Sequence, residues 1–218
     1  MKNLTNIFFF CCAFWIFSCG GNSQEERDTD SYDNVSGSYD TDSEVITEDY
    51  GEAETAARAK YAERRAKGDT LAIHYKELQK YLPTEIKGFT REGEMEGGSI
   101  NMEDMSYSSA SQRYRKGDSN LTISLMDYNN AVDMNEGLAG AWATGMSYDD
   151  DNQKTNGVSL VNNKVKGVES FAKKDRRCEL MAGISGRFYL QITVNNTDNS
   201  SLCKEIAEEM DLRALDAY

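Results

Sequence analysis

The chain has 218 residues, of which 24 are Lys or Arg and 37 are Asp or Glu, so its net charge at pH 7 is −13. A nucleic-acid-binding protein needs a basic surface that neutralises phosphates, and this acidic balance therefore disfavours nucleic acid as a partner. No residue pattern of a known catalytic centre is present, and the sequence predicts no cofactor.

The first 18 residues have the layout of a secretory signal peptide. Lys2 is followed by an apolar run over 7–17 and then by Ser18 and Cys19, and a basic start, an apolar centre and a small residue before the cut are typical of such peptides. Eleven apolar residues are too few to cross a hydrocarbon core of about 30 Å as a helix. The sequence therefore predicts that 1–18 are removed.

The end of this segment, Ile16-Phe17-Ser18-Cys19, resembles the lipobox of bacterial lipoproteins, in which aliphatic and small residues precede an invariant cysteine. The resemblance implies that Cys19 becomes the new N-terminus and is acylated on its sulfur and its amine. Two or more acyl chains anchor a protein stably, whereas one holds it marginally. An ordinary signal peptide with a coincidental cysteine is the alternative. In both cases Cys11 and Cys12 are discarded.

Residues 19–50 are predicted to be an acidic, disordered tether. They contain ten acidic residues against one basic residue, Arg27, and few apolar side chains, a composition that cannot build a core. After removal of 1–18 the net charge is −14, of which −9 lies in this segment. A flexible coil of this length has an r.m.s. reach of about 30 Å, so the rest of the chain would stand away from the bilayer.

Within the tether, Ser23-Gln24-Glu25-Glu26 resembles the export signals of Bacteroidota surface lipoproteins. The resemblance implies a lipid-anchored protein of the bacterial outer membrane that is exposed at the cell surface, and attachment facing the periplasm is the alternative. The expected partners are the membrane, through lipidated Cys19, and another envelope protein or an extracellular ligand.

Two helices are predicted before the first strand. Residues 51–69 are rich in alanine, and their opposite charges recur at i,i+4 spacing, which favours a charged spacer helix or a loose partner-binding helix. The next helix ends at Pro83. Its apolar face consists of Leu71, Tyr75, Leu78 and Leu82.

From Gly88 onward the pattern is typical of strands. The predicted strands are 89–95, 106–114, 121–128, 158–161, 164–172, 178–184 and 188–194, with a loop at Gly97-Gly98. The last two alternate apolar and polar residues, and a loop at 185–187 sets Ile184 opposite Phe188 and places the apolar side chains on one face. Residues 133–146 are predicted to be a crossover helix.

A one-sided sheet needs a cover. The natural cover is a helix that begins near Ser200 or Ser201 and carries Leu202, Ile206 and Met210 on one stripe. The sequence thus predicts an α+β domain over residues 70–218. Its antiparallel sheet would have about six or seven strands, with the crossover helix and the C-terminal helix packed on it and one or two helices before it.

The two remaining cysteines are predicted to be neighbours. Cys178 faces the apolar layer from its strand, and Cys203 adjoins the apolar stripe of the closing helix. In an oxidising compartment such a pair favours a disulfide, and two buried free thiols are the alternative. Two thiols without a nearby histidine make a poor metal site, so none is predicted.

Two positions near the second helix are weaker site candidates. Asp69-Thr70-Leu71 resembles the O-glycosylation signal of exported Bacteroidota proteins, which implies a sugar on Thr70, although Asp69 also suits a helix cap. His74 is the sole histidine, and a lone helical histidine is usually a surface or packing residue.

Over 75–215 several short motifs, among them Tyr114-Arg115-Lys116-Gly117-Asp118 and Gly186-Arg187-Phe188, resemble a family of uncharacterised exported bacterial domains. The order of elements is also similar to the PsbP-like α/β/α sandwich. These resemblances imply a fold and no activity.

The functional prediction is a lipid-anchored binding or assembly module that is not an enzyme. One alternative is a hydrolase whose acid and base are carboxylates such as Asp127 and those of 149–151, which would need two carboxyl groups within about 10 Å of each other in a cleft. The other alternative is a structural spacer of the cell envelope.

Overall fold

The computed structural model describes residues 58–102, 106–129, 145 and 147–218. The signal peptide, Cys19, the tether, the beginning of the spacer helix and nearly all of the predicted crossover helix lie outside these residues. The described strands are β1 (Glu85–Ile86), β2 (Phe89–Asn101), β3 (Ser106–Lys116), β4 (Ser119–Asp127), β5 (Ser147–Asp149), β6 (Gln153–Leu160), β7 (Val165–Ala172), β8 (Arg177–Ile184) and β9 (Phe188–Asn195).

The helices of the described residues are short. Residues 58–66 are helical and are called α1. The others are α2 (Tyr75–Leu78), which continues as a 3₁₀ turn (Gln79–Tyr81), and α3 (Leu202–Glu209), which is followed by a second 3₁₀ segment (Leu212–Ala217). None of these helices is both long and apolar enough to cross a bilayer.

All nine described strands belong to one antiparallel sheet, in the order β1-β2-β3-β4-β9-β8-β7-β6-β5. Strands β1 to β4 follow one another as a meander, and so do β5 to β9. The two meanders meet where β4 pairs with β9, from Asn120 opposite Asn195 to Asp127 opposite Phe188. The last strand of the chain therefore lies at the centre of the sheet.

The prediction of an α+β domain with six or seven strands is wrong. The sheet has nine strands, and α2 and α3 contain only four and eight residues. The two additional strands, β1 and β5, have two and three residues, too few to display the alternation from which strands are predicted. The predicted loop at Gly97-Gly98 is also wrong, because β2 continues through both glycines and pairs them with Ala110 and Ser109.

The predicted hairpins are confirmed. In β8 and β9, Ile184 pairs with Phe188 and Leu180 pairs with Ile192, which is the register expected from the three-residue loop between them. The pairing of Lys116 with Ser119 likewise confirms the hairpin of β3 and β4. The alternation of apolar and polar residues sufficed here because these strands are eight residues long or more.

One face of the sheet, here called the inner face, carries the core. Leu125, Leu180 and Ile192 are 0% exposed on the central strands, and fully burying a side chain of this kind is worth about 1.5–3 kcal/mol. Helix α3 begins at Leu202 after its N-cap Ser201 and contacts β8 and β9. It buries Ile206 in the core, which confirms the predicted cover.

Strands β7 and β8 approach each other closely at Gly167. A Cβ atom at this position would lie 2.1 Å from the carbonyl oxygen of Met181 and 2.6 Å from Cα of Ala182. No side chain fits at these distances, so the pairing of β7 with β8 depends on a glycine here.

Two long-range contacts hold α1 against the sheet and the C-terminal segment. Arg64 Nη2 donates a 2.7 Å hydrogen bond to the carbonyl oxygen of Asn129, and Lys60 Nζ lies 3.0 Å from Asp216 Oδ1. Asp216 also accepts hydrogen bonds from Lys164 and Ser185. Burial alone would raise the pKa of Asp216, but its bonds with Lys164, Lys60 and Ser185 lower that pKa to about 2.

Candidate functional site

A buried ion pair joins the end of β4 to the turn between β8 and β9. Asp127 is 0% exposed and Arg187 is 1% exposed. Arg187 Nε lies 3.1 Å from both carboxylate oxygens of Asp127, and Arg187 Nη2 lies 2.9 Å from Oδ2. Asp127 also accepts the backbone N–H groups of Ile73 and Asn129, at 2.8 and 2.7 Å. Its oxygens are therefore fully engaged in structural bonds.

The same arginine ties together segments that are distant in the sequence. Arg187 Nη1 donates to Asp69 Oδ2 at 2.9 Å and to the carbonyl oxygen of Tyr218 at 3.3 Å, and Nη2 donates to that of Leu71 at 3.3 Å. Burial opposes the charged form, but the bonds to Asp127 and Asp69 outweigh it and raise the pKa of Arg187. Arg187 thus fastens the segment before α2 and the C-terminal residue to the sheet.

The acidic turn at 149–151 is bonded within itself. Asp150 Oδ1 accepts the backbone N–H groups of Asn152 and Gln153 at 2.8 and 2.7 Å, and Asp150 Oδ2 accepts the hydroxyl of Tyr148 at 2.7 Å. The hydrogen bond from Tyr148 is the largest cause of the lowered pKa of Asp150. Asp149 pairs with Lys173 at 2.6 Å. These carboxylates hold the turn between β5 and β6.

Neither group of carboxylates named for a hydrolase therefore has the geometry of an acid–base pair. A general acid or base must reach the substrate proton at about 2.6–3.2 Å. Asp127 is enclosed by Arg187 and two backbone N–H groups, and Asp150 is engaged by its own turn. The geometry of the described residues gives the hydrolase alternative no support.

A second polar cluster lies under α3, where the inner face of β7 and β8 meets the helix. Glu169, Cys178 and Cys203 have their ligand atoms within 4.8 Å of one another. Glu169 is 2% exposed and both cysteines are 0% exposed. Cys178 Sγ donates to Glu169 Oε1 at 3.5 Å. Burial is the main cause that raises the pKa of Glu169 and that of Cys203.

This cluster contains the two cysteines that the sequence predicts to be neighbours. They are neighbours, and the structure holds them as buried free thiols. The disulfide between Cys178 and Cys203 stays a prediction. Glu169 was missed by the sequence analysis, although its place between the inward-facing Gly167 and Phe171 of β7 could have indicated a buried carboxylate.

Glu169 also caps helix α3 from the neighbouring sheet. Ser201 makes no side-chain capping bond, and Glu169 Oε1 instead accepts the backbone N–H of Lys204 in the first turn at 2.7 Å. A carboxylate near a helix N-terminus is stabilised by the unpaired N–H groups and by the helix dipole. The carboxylate of Glu169 therefore has a fixed position among the two thiols and the helix.

Among the described residues, none of the other site residues predicted from the sequence joins either cluster as a second reactive group. Thr70 is exposed, so its hydroxyl is accessible, and its glycosylation stays a prediction. Asp69 binds Arg187. His74 is the N-cap of α2, where its Nδ1 accepts the backbone N–H of Lys76 at 3.3 Å. Cys19 lies outside the described residues, and its lipidation stays a prediction.

A group of apolar side chains lies on the outer face of the sheet, opposite the core, where β2, β3 and the end of β4 are neighbours. Ile100 of β2 is paired with Tyr107 of β3, and the rings of Tyr107 and Tyr128 lie 4.9 Å apart. The hydroxyl of Tyr128 is 3.6 Å from Sδ of Met126. Ile100 is 50% exposed and Tyr128 is 36% exposed. These four residues are called the tyrosine patch.

The similarity of this chain to known proteins is weak. No protein-family model matches the chain, and no curated protein matches it at a significant level. An X-ray structure of an uncharacterized protein from Mycobacterium smegmatis is similar to it, with 10% sequence identity and a TM-score of 0.34, over 66% of this chain and 95% of that one. A TM-score this low carries no argument about fold or function.

Proposed function

We propose that this protein is a lipid-anchored binding or assembly module of the bacterial outer membrane, displayed at the cell surface. Its acylated Cys19 holds it to the bilayer, residues 19–50 act as the tether, and the tyrosine patch contacts another protein of the cell envelope. The observation that carries the proposal is the exposure of neighbouring apolar side chains on the outer face.

The chemistry of the patch suits a protein partner. Exposed apolar groups that lie together are typical of interaction sites, and tyrosine is enriched at interfaces because it has a large apolar ring and a polar hydroxyl. Ile100 lies in β2, and Tyr128 directly follows β4. The sheet therefore holds the backbone of both residues in place before a partner binds. A preorganised surface loses less entropy when it associates.

The tether supports the same proposal. The 31 residues between Cys19 and the predicted helix at 51 carry a net charge of −9, and repulsion between like charges favours an extended chain. A module on such a tether can search a volume beside the membrane and meet partners at a raised effective concentration. Two acyl chains would retain it there while it does so.

Cross-linking in living cells tests the proposal. The full chain and its Tyr128→Ser variant are cross-linked, purified and compared for retained envelope proteins. Tyr148→Ser is the matched control, since Tyr148 is also an exposed tyrosine, at 46% against 36%, but lies in β5 at the opposite end of the strand order. Tyrosine is enriched among the few interface residues whose truncation costs about 2 kcal/mol or more, so the Tyr128 variant should lose the partner.

A partner that is retained by the wild type and by Tyr148→Ser, and lost from Tyr128→Ser, supports the proposal. Equal retention by all three proteins contradicts the assignment of the patch. A wild-type chain that retains no envelope protein under any cross-linking condition contradicts the binding function itself.

A further inference from the structure

We propose that Glu169, Cys178 and Cys203 form a binding site for a thiophilic divalent metal ion, most simply zinc. Two sulfur donors and one carboxylate converge there from three different elements, β7, β8 and α3. This assignment does not depend on the tyrosine patch or on the binding function proposed above.

The spacing of the donors fits tetrahedral coordination. Zinc binds cysteine sulfur at about 2.3 Å and carboxylate oxygen at about 2.0–2.2 Å, so two donors of one tetrahedral site lie roughly 3.6–3.8 Å apart. Cys178 Sγ is 3.5 Å from Glu169 Oε1, and the three donor atoms all lie within 4.8 Å of one another. The donors are therefore near the required separation before any adjustment.

A further oxygen lies near one of the three donors. The carbonyl oxygen of Ser200 is 3.9 Å from Cys178 Sγ, and it belongs to the turn that leads into α3. The three side chains would take three positions of a tetrahedral zinc site, and a water molecule or this carbonyl oxygen would take the fourth. Thiolate donors favour zinc over magnesium or calcium, which prefer oxygen donors.

The burial of Glu169 beside the two thiols favours a metal over a disulfide. A buried carboxylate either loses its charge or meets a cation, and among the described residues no ion pair includes Glu169, which is only 2% exposed. A disulfide would use both sulfurs and remove the thiol that donates to Glu169. A divalent cation would instead bind all three groups.

The surroundings also resemble those of a metal ligand. Glu169 Oε1 accepts the N–H of Lys204 at 2.7 Å, and a hydrogen bond of this kind fixes the orientation of a ligating carboxylate. Because the donors are buried, the ion would be bound as the chain folds, and its binding energy would contribute to folding.

The test uses the full chain purified in detergent without chelators. The metal content per chain is measured by mass spectrometry, and thiols are counted in denaturant before and after reduction. Zinc should be present at about one ion per chain. Cobalt offered during refolding should give the sulfur-to-cobalt absorption that reports thiolate ligation.

Three variants separate the site from the fold. Cys178→Ser and Cys203→Ser should lose the bound metal. Glu169→Gln keeps an oxygen that accepts the N–H of Lys204, so the cap of α3 survives, but the affinity for zinc should fall at least about tenfold, the loss typical even of an outer-shell change. Glu179→Gln is the control, since Glu179 lies on the outer face of β8 with Arg177 and Gln191 as partners.

Two results would overturn the proposal. One is a Cys178–Cys203 disulfide in the purified wild-type chain. The other is a reduced chain that retains no zinc after refolding with it, or whose zinc content is the same in Glu169→Gln, both cysteine variants and Glu179→Gln.

Discussion

Replacing Arg187 by methionine should lower the free energy of unfolding by about 3–5 kcal/mol, the range for removing one partner of a buried ion pair. Methionine keeps much of the side-chain volume but leaves Asp127, which is 0% exposed, with only the N–H groups of Ile73 and Asn129 as donors. The loss should also release Asp69 and the carbonyl oxygens of Leu71 and Tyr218.

Arg176→Met is the matched control. Arg176 pairs with Asp198 through two hydrogen bonds of 2.8 Å, but the two side chains are 49% and 81% exposed. An exposed pair is typically worth about 0–1 kcal/mol. Both arginines make two-point contacts with an aspartate, but Arg187 is buried and also bonds Asp69 and two carbonyl oxygens; the control therefore gives the cost of losing an exposed pair alone.

Urea unfolding at pH 7, followed by circular dichroism and extrapolated to water, measures both changes. A third protein, Arg187→Met with Asp127→Asn, should be more stable than Arg187→Met alone because no uncompensated charge stays buried. A cost of less than about 1 kcal/mol for Arg187→Met, an equal cost for Arg176→Met, or no rescue by the second substitution would contradict this prediction.

Three further outcomes are expected. The folded pKa of Asp216, about 2, lies below the unfolded value of about 3.9, so its contribution of about 2 kcal/mol to stability is present above pH 4 and lost towards pH 2. Asp216→Asn should therefore lose less stability than the wild type when urea unfolding is repeated from pH 4 to pH 2, and an equal loss in both proteins would contradict the ion cluster. Gly167→Ala should destabilise the chain by about 3 kcal/mol, whereas Gly98→Ala, with open space around its Cβ, should be nearly neutral in thermal unfolding. Cys19→Ala should abolish palmitate labelling, and protease treatment of whole cells should degrade the wild type; an unlabelled wild type, or one that the protease cannot reach, would count against the anchor or its orientation.

The long hairpins could be predicted because each residue in them contributes to a period of two. The eight residues of β8 and the eight of β9 give the alternation enough repeats to fix register and inward face, and the loop at 185–187 leaves one pairing. Strands β1 and β5 contain two and three residues. They exist because a longer neighbour offers backbone partners, which is a tertiary property that a local pattern does not contain.

The second predicted helix shows the opposite error. Leu71, Leu78 and Leu82 fit one helix face, but only Tyr75–Leu78 are α-helical and Leu71 is 55% exposed. The N–H groups of Ala72 and Ile73 bond to the side chains of Ser106 and Asp127 instead. Tertiary hydrogen bonds therefore override the helical spacing at its start.

The candidate site could be predicted only in part. The alternation of β8 and the stripe of α3 brought Cys178 and Cys203 to the same layer, because both are secondary-structure signals. Glu169 required knowledge that β7 lies beside β8, since its carboxylate reaches the thiols across neighbouring strands. Asp127 was considered as a catalyst because it lies at a strand end; its ion-pair partner Arg187 is 60 residues away, so no local pattern reveals the pair.

The position of β9 constrains how the chain can be shortened or synthesised. Residues 188–195 follow all the other described strands in the sequence, yet they fill the slot between β4 and β8. Without β9, strands β4 and β8 would each present unpaired backbone N–H and C=O groups, and pairing across a long sequence separation is slow. A chain that ends just before Phe188 would lose β9 and leave β4 and β8 as unpaired edge strands, and exposed edges of this kind pair with other chains.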